Sequence, residues 1–316
     1  MKNSVKSLRP QKKVPVGRRL GVEMRRNWIM YLMLFPVIVY FLVYCYAPMY
    51  GVIIAFKKYN AKLGILGSEW VGFKHFIRFF KSYNFELLLG NTLGISVYNL
   101  LVGFPLPIIF ALFLHYLDIK PLKKFVQMVS YAPHFLSTVV ICSMLTLFCA
   151  KSGFFNILGG FFGLEPVDML SKSELFKHIY VWSDVWQGMG WSSIIYMAAL
   201  AGVDQEMHEA AIVDGANIFQ RMLKIDLPSI IPTIVMLLIL QMGSVMNLGF
   251  EKAFLLQNDL NLRASQIIAT YVYDLGLVRA DYGFSTAVGL FNNVINVTLL
   301  VLANIFSKKV LKESLW

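Results

Sequence analysis

Few of the residues that carry out hydrolysis, group transfer or metal binding occur here in the motifs that make them reactive. The chain has no G-x-x-x-x-G-K-[ST] loop to hold nucleotide phosphates, and no H-E-x-x-H or G-x-S-x-G sequence. Cys45, Cys142 and Cys149 lie in apolar stretches, and their spacing fits neither a disulfide framework nor a metal site. No catalytic residue, metal ligand or cofactor site is therefore predicted, and an integral-membrane enzyme stays an alternative without a candidate active site.

The composition indicates that most of the chain lies in a membrane. Hydrophobic residues make up 57% of the 316 residues and charged residues 15%, against about 45–50% and 25% in soluble globular domains. An extracellular disulfide scaffold, a nucleic-acid-binding domain and a disordered tail protein are excluded. Six windows lack Asp, Glu, Lys and Arg and are long enough to cross a bilayer as helices: residues 27–56, 87–114, 125–150, 185–203, 227–250 and 282–307. We predict an all-α integral membrane protein with six transmembrane helices.

The basic residues predict the orientation of these spans. Of 29 Lys and Arg residues, 17 fall on the side that holds both termini, and cytoplasmic segments are enriched in such residues. Both termini are therefore predicted to be cytoplasmic. The organisation is a basic tail over 1–26, a transmembrane domain over 27–307 and a C-terminal tail over 308–316, with the first window too long for a secretory signal. The net charge of +11 then reflects orientation and contact with lipid headgroups rather than binding of nucleic acid.

Ionisable side chains that could bind coupling ions are missing from these windows, although ion-coupled carriers usually place them inside the membrane. His115 lies at the inner end of the second window and His134 lies in the third. Because His134 follows Pro133, a role in helix packing or kinking is favoured over a proton relay. The chain is not expected to couple an ion gradient by itself.

Two connecting segments have patterns of their own. Phe73, Phe76, Ile77 and Phe80 recur at helical spacing and predict a short amphipathic helix on the outer membrane surface. It could dock an external partner or anchor the chain at the interface, and the pattern favours an anchor. Residues 153–164 are apolar but too short to span, so they are either re-entrant or packed against the bundle.

The most informative segment is the predicted cytoplasmic loop over residues 203–228. Asp204 can cap a helix, and Gly215 permits a sharp turn. A second short helix over about 217–224 leads to Pro228, which suits the first turn of a membrane helix. The sequence therefore predicts two short helices across the mouth of the bundle.

The first of these helices has a surface suited to close contact with another protein. Ala210 and Ala211 let a partner approach closely, and Glu209 places a carboxylate at the rim. A rigid hairpin of this kind can move the adjacent spans as one body. The alternative is an ordinary helical loop whose alanines serve helix propensity, and composition does not separate the two.

The complete spacing resembles a known motif. The run Glu209-Ala210-Ala211, three residues, Gly215, nine residues, Ile225, one residue, Leu227-Pro228 matches the E-A-A-x3-G-x9-I-x-L-P motif of permease subunits of binding-protein-dependent ABC importers. The chain is similar to that family along nearly its full length, which implies the type I permease fold of these importers. More narrowly, Asp214-Gly215-Ala216 resembles the six-span carbohydrate permeases, and residues 47–51, 103–105 and 131–135 resemble the branch that handles complex oligosaccharides.

The resemblance implies a mechanism with several partners in the plasma membrane of a bacterium. An extracellular binding protein, periplasmic or lipid-anchored, would deliver the sugar, and a second homologous permease would complete the pathway through the lipid. Two cytoplasmic ATPase subunits would hydrolyse ATP with Mg, so that this chain would bind no cofactor and would not itself be an enzyme.

The same resemblance assigns roles within the loop. Glu209 would contact the ATPase surface, Ala210 and Ala211 would allow close seating, and Gly215 would set the angle between the two helices. The remaining residues of the implied coupling site are Asp214, Ile225, Leu227 and Pro228.

The substrate pathway is predicted from side chains that suit sugars, which bind through amides, hydroxyls and aromatic faces. The candidates are Tyr196, Gln241, Asn247, Asn292, Asn293 and Asn296. For any one amide, a hydrogen bond between helices is the favoured alternative. Arg263 and Arg279 could favour acidic sugars, and could equally be surface charges.

A different class of protein also fits six spans without catalytic motifs. A stand-alone channel or secondary carrier would transport when reconstituted alone, and would need neither Ala211 nor Gly215.

Overall fold

The structure is a computed structural model that describes residues 26–310. The predicted basic tail, apart from its last residue, and residues 311–316 of the predicted C-terminal tail lie outside the described residues. The chain forms two compact units that meet between Ile53 and Ile54 in the sequence.

The first unit is a helical run. Helix α1 spans Trp28–Tyr40, a π-helical turn covers Phe41–Tyr46, α2 covers Ala47–Met49, and a 3₁₀ turn begins at Tyr50. Pro36 lies inside α1, a position that membrane helices tolerate. The apolar side chains of α1 are exposed, as expected where a helix faces lipid.

The second unit is built from helices of very unequal length. A small antiparallel ribbon pairs β1 (Lys57–Lys58) with β2 (Glu69–Trp70). The helices are α3 (Gly64–Gly67), α4 (Lys74–Phe80), α5 (Asn84–Gly103), α6 (Pro105–His115), α7 (Lys120–Tyr131), α8 (Thr138–Cys149), α9 (Phe154–Gly160), α10 (Ser173–Leu200), α11 (Gln205–Val213), α12 (Ile218–Arg221), α13 (Leu227–Met242), α14 (Phe250–Leu256), α15 (Leu262–Ser265), α16 (Ile268–Tyr273) and α17 (Tyr282–Val310). Shorter 3₁₀ or π-helical turns cover Tyr50–Phe56, Ala132–Phe135, Met169–Ser171, Met222–Asp226 and Asp274–Val278.

Five helical runs among the described residues are long and apolar enough to cross a membrane. They are Trp28–Phe56, Asn84–His115, Thr138–Gly160, Ile218–Met242 and Tyr282–Lys309. They correspond to all the predicted spans except the fourth, whose window lies in α10. At about 1.5 Å per residue, the 28 residues of α10 would also reach across a bilayer, but its first half carries charged side chains such as Lys177 and Asp184.

The third predicted span differs from a continuous helix. Its window is divided between α7 and α8, with the 3₁₀ turn Ala132–Phe135 between them. Pro133 cannot donate a backbone hydrogen bond to a continuing helix. Helix α8 then starts afresh at Ser137, whose hydroxyl accepts from the backbone N–H of Val140 at 3.4 Å. The imidazole of His134 stacks on Trp191 of α10 with ring centroids 4.5 Å apart, which is a packing contact.

The predicted outer amphipathic helix is present as α4, but the residues that attach it to the rest of the protein are not those of the predicted apolar stripe. Phe79, outside the predicted apolar stripe, is the buried one, and its ring lies 5.4 Å from that of Phe291. Phe73 and Ile77 are exposed. Arg78 pairs with Asp281 at 2.8 Å. Helix α4 is therefore clamped to the start of α17.

The short apolar segment after α8 packs against the end of that helix. Asn156 of α9 is buried, and its amide nitrogen donates to the carbonyls of Ala150 and Val167 at 2.8 and 2.7 Å. A Cβ at Gly153 would lie 2.3 Å from the carbonyl oxygen of Leu147. The chain therefore reverses tightly here, and the glycine permits the close approach.

Helix α10 is the centre of the second unit. Its first half contributes Phe176 and Val181 to a buried cluster with residues of α5, α8 and α14. Its second half contributes Tyr196 and Leu200 to another cluster with residues of α6 and α13. Most of the described spans are therefore packed around one helix.

We expect Gly190→Ala to destabilise the fold, because its Cβ would lie 2.3 Å from the backbone oxygen of Ser130 on α7. Overpacking of this kind costs about 1–3 kcal/mol. Gly188→Ala is the matched control on the same helix, since its Cβ would meet no atom within 4 Å. Thermal unfolding of the two variants in detergent measures the difference, and equal midpoints would contradict the packing.

Candidate functional site

The loop over residues 203–228 forms the predicted helical hairpin. Its first limb is α11, and the Asp204 carboxylate caps it by accepting from the backbone N–H of Glu206 at 2.9 Å. Its second limb begins at α12 with a reciprocal cap, in which Asn217 and Gln220 each accept from the other's backbone N–H at 2.8 Å. The Asn-x-x-Gln spacing is a capping-box signal that the sequence analysis did not use.

Gly215 makes the turn between the limbs. Its φ angle is +79°, in the left-handed region that favours glycine. No atom would lie within 4 Å of an added Cβ. The backbone conformation, rather than lack of space, therefore requires glycine here.

The predicted end of the second helix near residue 224 is wrong. Helix α12 continues through the π-helical turn Met222–Asp226 into α13, so that Ile218–Met242 is one helical run of 25 residues. Pro228 lies in the first turn of α13. The second limb of the hairpin is thus the beginning of the predicted fifth span.

The predicted coupling residues occupy different surroundings. Four of them, Ala211, Asp214, Gly215 and Ile225, line a hollow of about 330 Å³ between the limbs. Glu209, Ala210 and Pro228 are exposed and do not line that hollow, while Leu227 packs on the cluster around Tyr196. The hairpin therefore presents Glu209 and Ala210 outward.

A charged cluster that the sequence analysis missed lies beneath the hairpin. The Asp226 side chain is completely buried. The Tyr116 hydroxyl donates to its Oδ2 at 2.5 Å, and Nε2 of His208 lies 3.0 Å from its Oδ1. Burial and the hydrogen bond to Asp226 raise the pKa of Tyr116. His115 lies close enough that His115, His208 and Asp226 place potential ligand atoms within 4.8 Å of one another.

Two adjoining cavities lie beside α10, with volumes of about 550 and 370 Å³. They share Asn99, Asp184 and Gln241 in their linings. The Asn99 amide donates to Asp184 at 2.9 Å, and Lys252 Nζ lies 3.2 Å from the other carboxylate oxygen. Lys252 is only 4% exposed and lies 5.0 Å from the centre of the Tyr180 ring.

This charged pair lies just outside the six charge-free windows, at two places that are distant in the sequence. Asp184 was taken as the boundary of the fourth window, yet it lies near the middle of α10. Lys252 follows the fifth window by two residues, and it is buried against that helix. A search for windows free of charge excludes such residues by its construction.

The predicted substrate residues separate into two groups. Tyr196 and Gln241 line the larger cavity, and Gln241 and Asn247 line the smaller one. Asn292 and Asn296 each donate to the side-chain oxygen of Asn247, at 3.0 and 2.9 Å. These amides thus join α17 to the segment after α13, as the alternative interpretation held, and the exposed Asn293 takes no part in the described bonds.

The two arginines of the last predicted outer loop are not in these cavities. Arg279 pairs with Asp274 at 2.8 Å. Arg263 is exposed, and its backbone oxygen accepts from the Asn91 amide at 2.9 Å.

Long apolar helices beside two adjoining cavities, with a helical hairpin continuous with one membrane-length run, are typical of a membrane transporter. Residues 103–312 match the family described as binding-protein-dependent transport system inner membrane component. The chain belongs to this family of ABC importer permeases, whose members are not themselves enzymes.

Individual relatives agree with this assignment. The chain is 44% identical, over 95% of its length and 94% of the relative's, to the polygalacturonan/rhamnogalacturonan transport system permease protein YteP of Bacillus subtilis (strain 168). A solved bacterial ABC transporter that imports the acidic polysaccharide alginate has a chain 37% identical, with a TM-score of 0.85 over 92% of this chain and 99% of that one. A second structure, with alginate pentasaccharide-bound periplasmic protein, gives 36% and 0.86 over 94% and 100%. The predicted family and its permease fold are confirmed.

Asp184→Asn is expected to destabilise the protein by about 2 kcal/mol, because it leaves the buried Lys252 without its charged partner. The double variant Asp184→Asn/Lys252→Met should recover most of that loss, since neither charge then remains. Thermal unfolding of both purified variants tests this. A double variant less stable than Asp184→Asn would contradict the ion pair between Asp184 and Lys252.

Proposed function

We propose that this chain is one of two permease subunits of an ATP-driven importer of oligosaccharides, and that its substrates carry uronic acids. The observation that carries the transport role is the Gly215 hairpin, which is continuous with a membrane-length helix. The class of substrate is supported by the relatives, since polygalacturonan and alginate are both acidic polymers.

The proposed topology has six spans, with α10 added to the five apolar runs. Both termini and the hairpin lie in the cytoplasm of a bacterial cell, which the distribution of Lys and Arg supports. The permease domain extends over 27–307, between the two tails.

The proposed partners follow from the surfaces that one permease leaves open. A second homologous permease and lipid cover the exposed apolar side chains, and a periplasmic or lipid-anchored binding protein delivers the sugar from outside. Two ATPase subunits bind and hydrolyse ATP with Mg, and one of them receives the hairpin. A solved neighbour in complex with an alginate pentasaccharide-bound periplasmic protein supports the delivery of the sugar by a binding protein.

Coupling follows from the geometry of the hairpin. Glu209 and Ala210 are exposed on α11 and form the contact with the ATPase, while Ala211, Asp214 and Ile225 line the hollow between the limbs. When the ATPases close, the hairpin moves with them. Because α12 runs into α13 without a break, the fifth span must move as well.

The oligosaccharide passes the cavities beside α10. Asn99, Asp184 and Gln241 supply hydrogen-bonding groups there, and Tyr196 and Trp191 add aromatic surface. Such a lining suits a chain of sugar hydroxyls, which need polar groups at fixed positions.

Transport should fall in the order wild type, Gly215→Asn, Gly215→Ala, Gly215→Val, because tolerance of a positive φ decreases in that order. Since an added Cβ meets no atom, membrane insertion should stay intact. Import by the complete transporter in proteoliposomes, with membrane levels as the control, measures the series. Charge reversal at Glu209 should be milder, because it removes one contact at a solvated rim. Wild-type import by Gly215→Val would overturn the coupling role.

ATP hydrolysis by the reconstituted importer with its binding protein should rise with oligogalacturonate. Methyl-esterified oligogalacturonate of the same length is the matched control, because each negative carboxylate is replaced by a neutral methyl ester on the same sugar backbone, and it should stimulate about tenfold less. Equal stimulation would refute selection of acidic sugars. Transport by this chain reconstituted alone would instead favour a stand-alone carrier.

A further inference from the structure

Among the positions that the motif of the 203–228 loop leaves unspecified is residue 226, between Ile225 and Leu227, and the side chain there is a fully buried charge. Asp226 has no exposed surface. A buried carboxylate is unfavourable unless other groups pair with it. Its two partners, Tyr116 and His208, come from separate elements of the fold.

Those elements are the ones that coupling must connect. Tyr116 directly follows α6, at the end of the second span. His208 lies on α11, one residue before Glu209. Asp226 lies where the second limb of the hairpin becomes α13. One carboxylate thus joins the second span, the fifth span and the limb that faces the ATPase.

Helix α11 has little else to fix its direction. None of its residues, all of which the structure describes, is buried. Turns that contain Gly202 and Gly215 flank it. The His208 side chain is only 14% exposed and reaches inward to Asp226.

The second limb approaches the same point. The guanidinium of Arg221 on α12 lies 5.4 Å from the centre of the Tyr116 ring. The His208 ring lies 6.3 Å from that of Tyr116. Both limbs of the hairpin therefore contact the residue that ends the second span.

We propose that Tyr116, His208 and Asp226, here called the Asp226 bracket, hold α11 at a fixed angle to the second and fifth spans. They are positioning residues: they touch neither sugar nor ATP, and they let motion imposed on α11 reach two spans at once. The proposal rests on the coupling role of the hairpin. Without the bracket, α11 would swing about its two glycine turns and the ATPases would move it without moving the bundle.

The angle of α11 can be measured without any substrate. Spin labels at Val213, which is 86% exposed, and at Ile119, which is 59% exposed, report the distance between α11 and the end of the second span. In the assembled, nucleotide-free importer the distance distribution should be narrow. His208→Leu should widen it by about twofold or more, and His208→Gln, which restores an N–H donor, should narrow it again.

The second readout is coupling, measured as the ratio of oligosaccharide molecules imported to ATP molecules hydrolysed. Tyr116→Phe, which removes a hydrogen bond to a charged group, and His208→Leu, which removes the 3.0 Å contact with Asp226, should each lower this ratio by about tenfold. The double variant should be little worse than either single one, because both act on Asp226. Tyr83→Phe, on a side chain that is 90% exposed, is the control for loss of a hydroxyl.

The outcomes separate the bracket from the proposed function. If Gly215→Val stops import while His208→Leu keeps both the narrow distribution and the wild-type ratio, the bracket is wrong and the coupling loop stands. If Gly215→Val imports normally, the coupling role itself fails. Asp226→Asn is not needed for the test, so its failure to fold would leave the other variants decisive.

Discussion

Polar side chains buried among apolar helices must find partners inside the protein, because neither lipid nor a packed core supplies water. This constraint decides where the elements of this permease are joined. Asn156 ties α9 to the end of α8, Asn296 ties α17 to the segment after α13, and Lys252 ties α14 to α10. Each bond lies at a place where apolar packing alone would allow the elements to slide.

The same constraint relates the two ends of the proposed transport pathway. On the hairpin side, Asp226 collects partners from α11 and from the end of α6. In the cavities, Asp184 of α10 collects Asn99 of α5 and Lys252 of α14. Helix α10 packs on α6 and α13 in one cluster and on α5 and α14 in another. Helix α10 therefore packs both on the second and fifth predicted spans and on the elements that carry Asn99 and Lys252.

Features that depend on neighbouring residues could be predicted from the sequence, whereas contacts between residues distant in the chain could not. The cap at Asp204 and the turn at Gly215 were predictable, because each depends on its own neighbours in the chain. The family was predictable from the spacing of the loop. Asp184 and Lys252 are 68 residues apart and lie just outside two different apolar windows, so their pairing could not be predicted, since a charge has no visible partner until the chain is folded.

The sequence-based predictions were also wrong about where helices are interrupted: one interruption was missed and one was predicted where the helix continues. The third predicted span looked continuous because its residues are apolar, yet Pro133 divides it. The second limb of the hairpin and the fifth predicted span looked separate because Lys224 and Asp226 are charged. They form one helical run, Ile218–Met242.

That continuity has a mechanical meaning. A run of 25 residues is about 37 Å long at 1.5 Å per residue, so a small rotation at its hairpin end becomes a displacement of several ångströms at the other. Gln241 lies near that far end, in the lining of both cavities. A break at residue 224 would have left the hairpin free to turn alone, whereas in the proposed mechanism the continuous run Ile218–Met242 carries motion of the hairpin to the cavity lining.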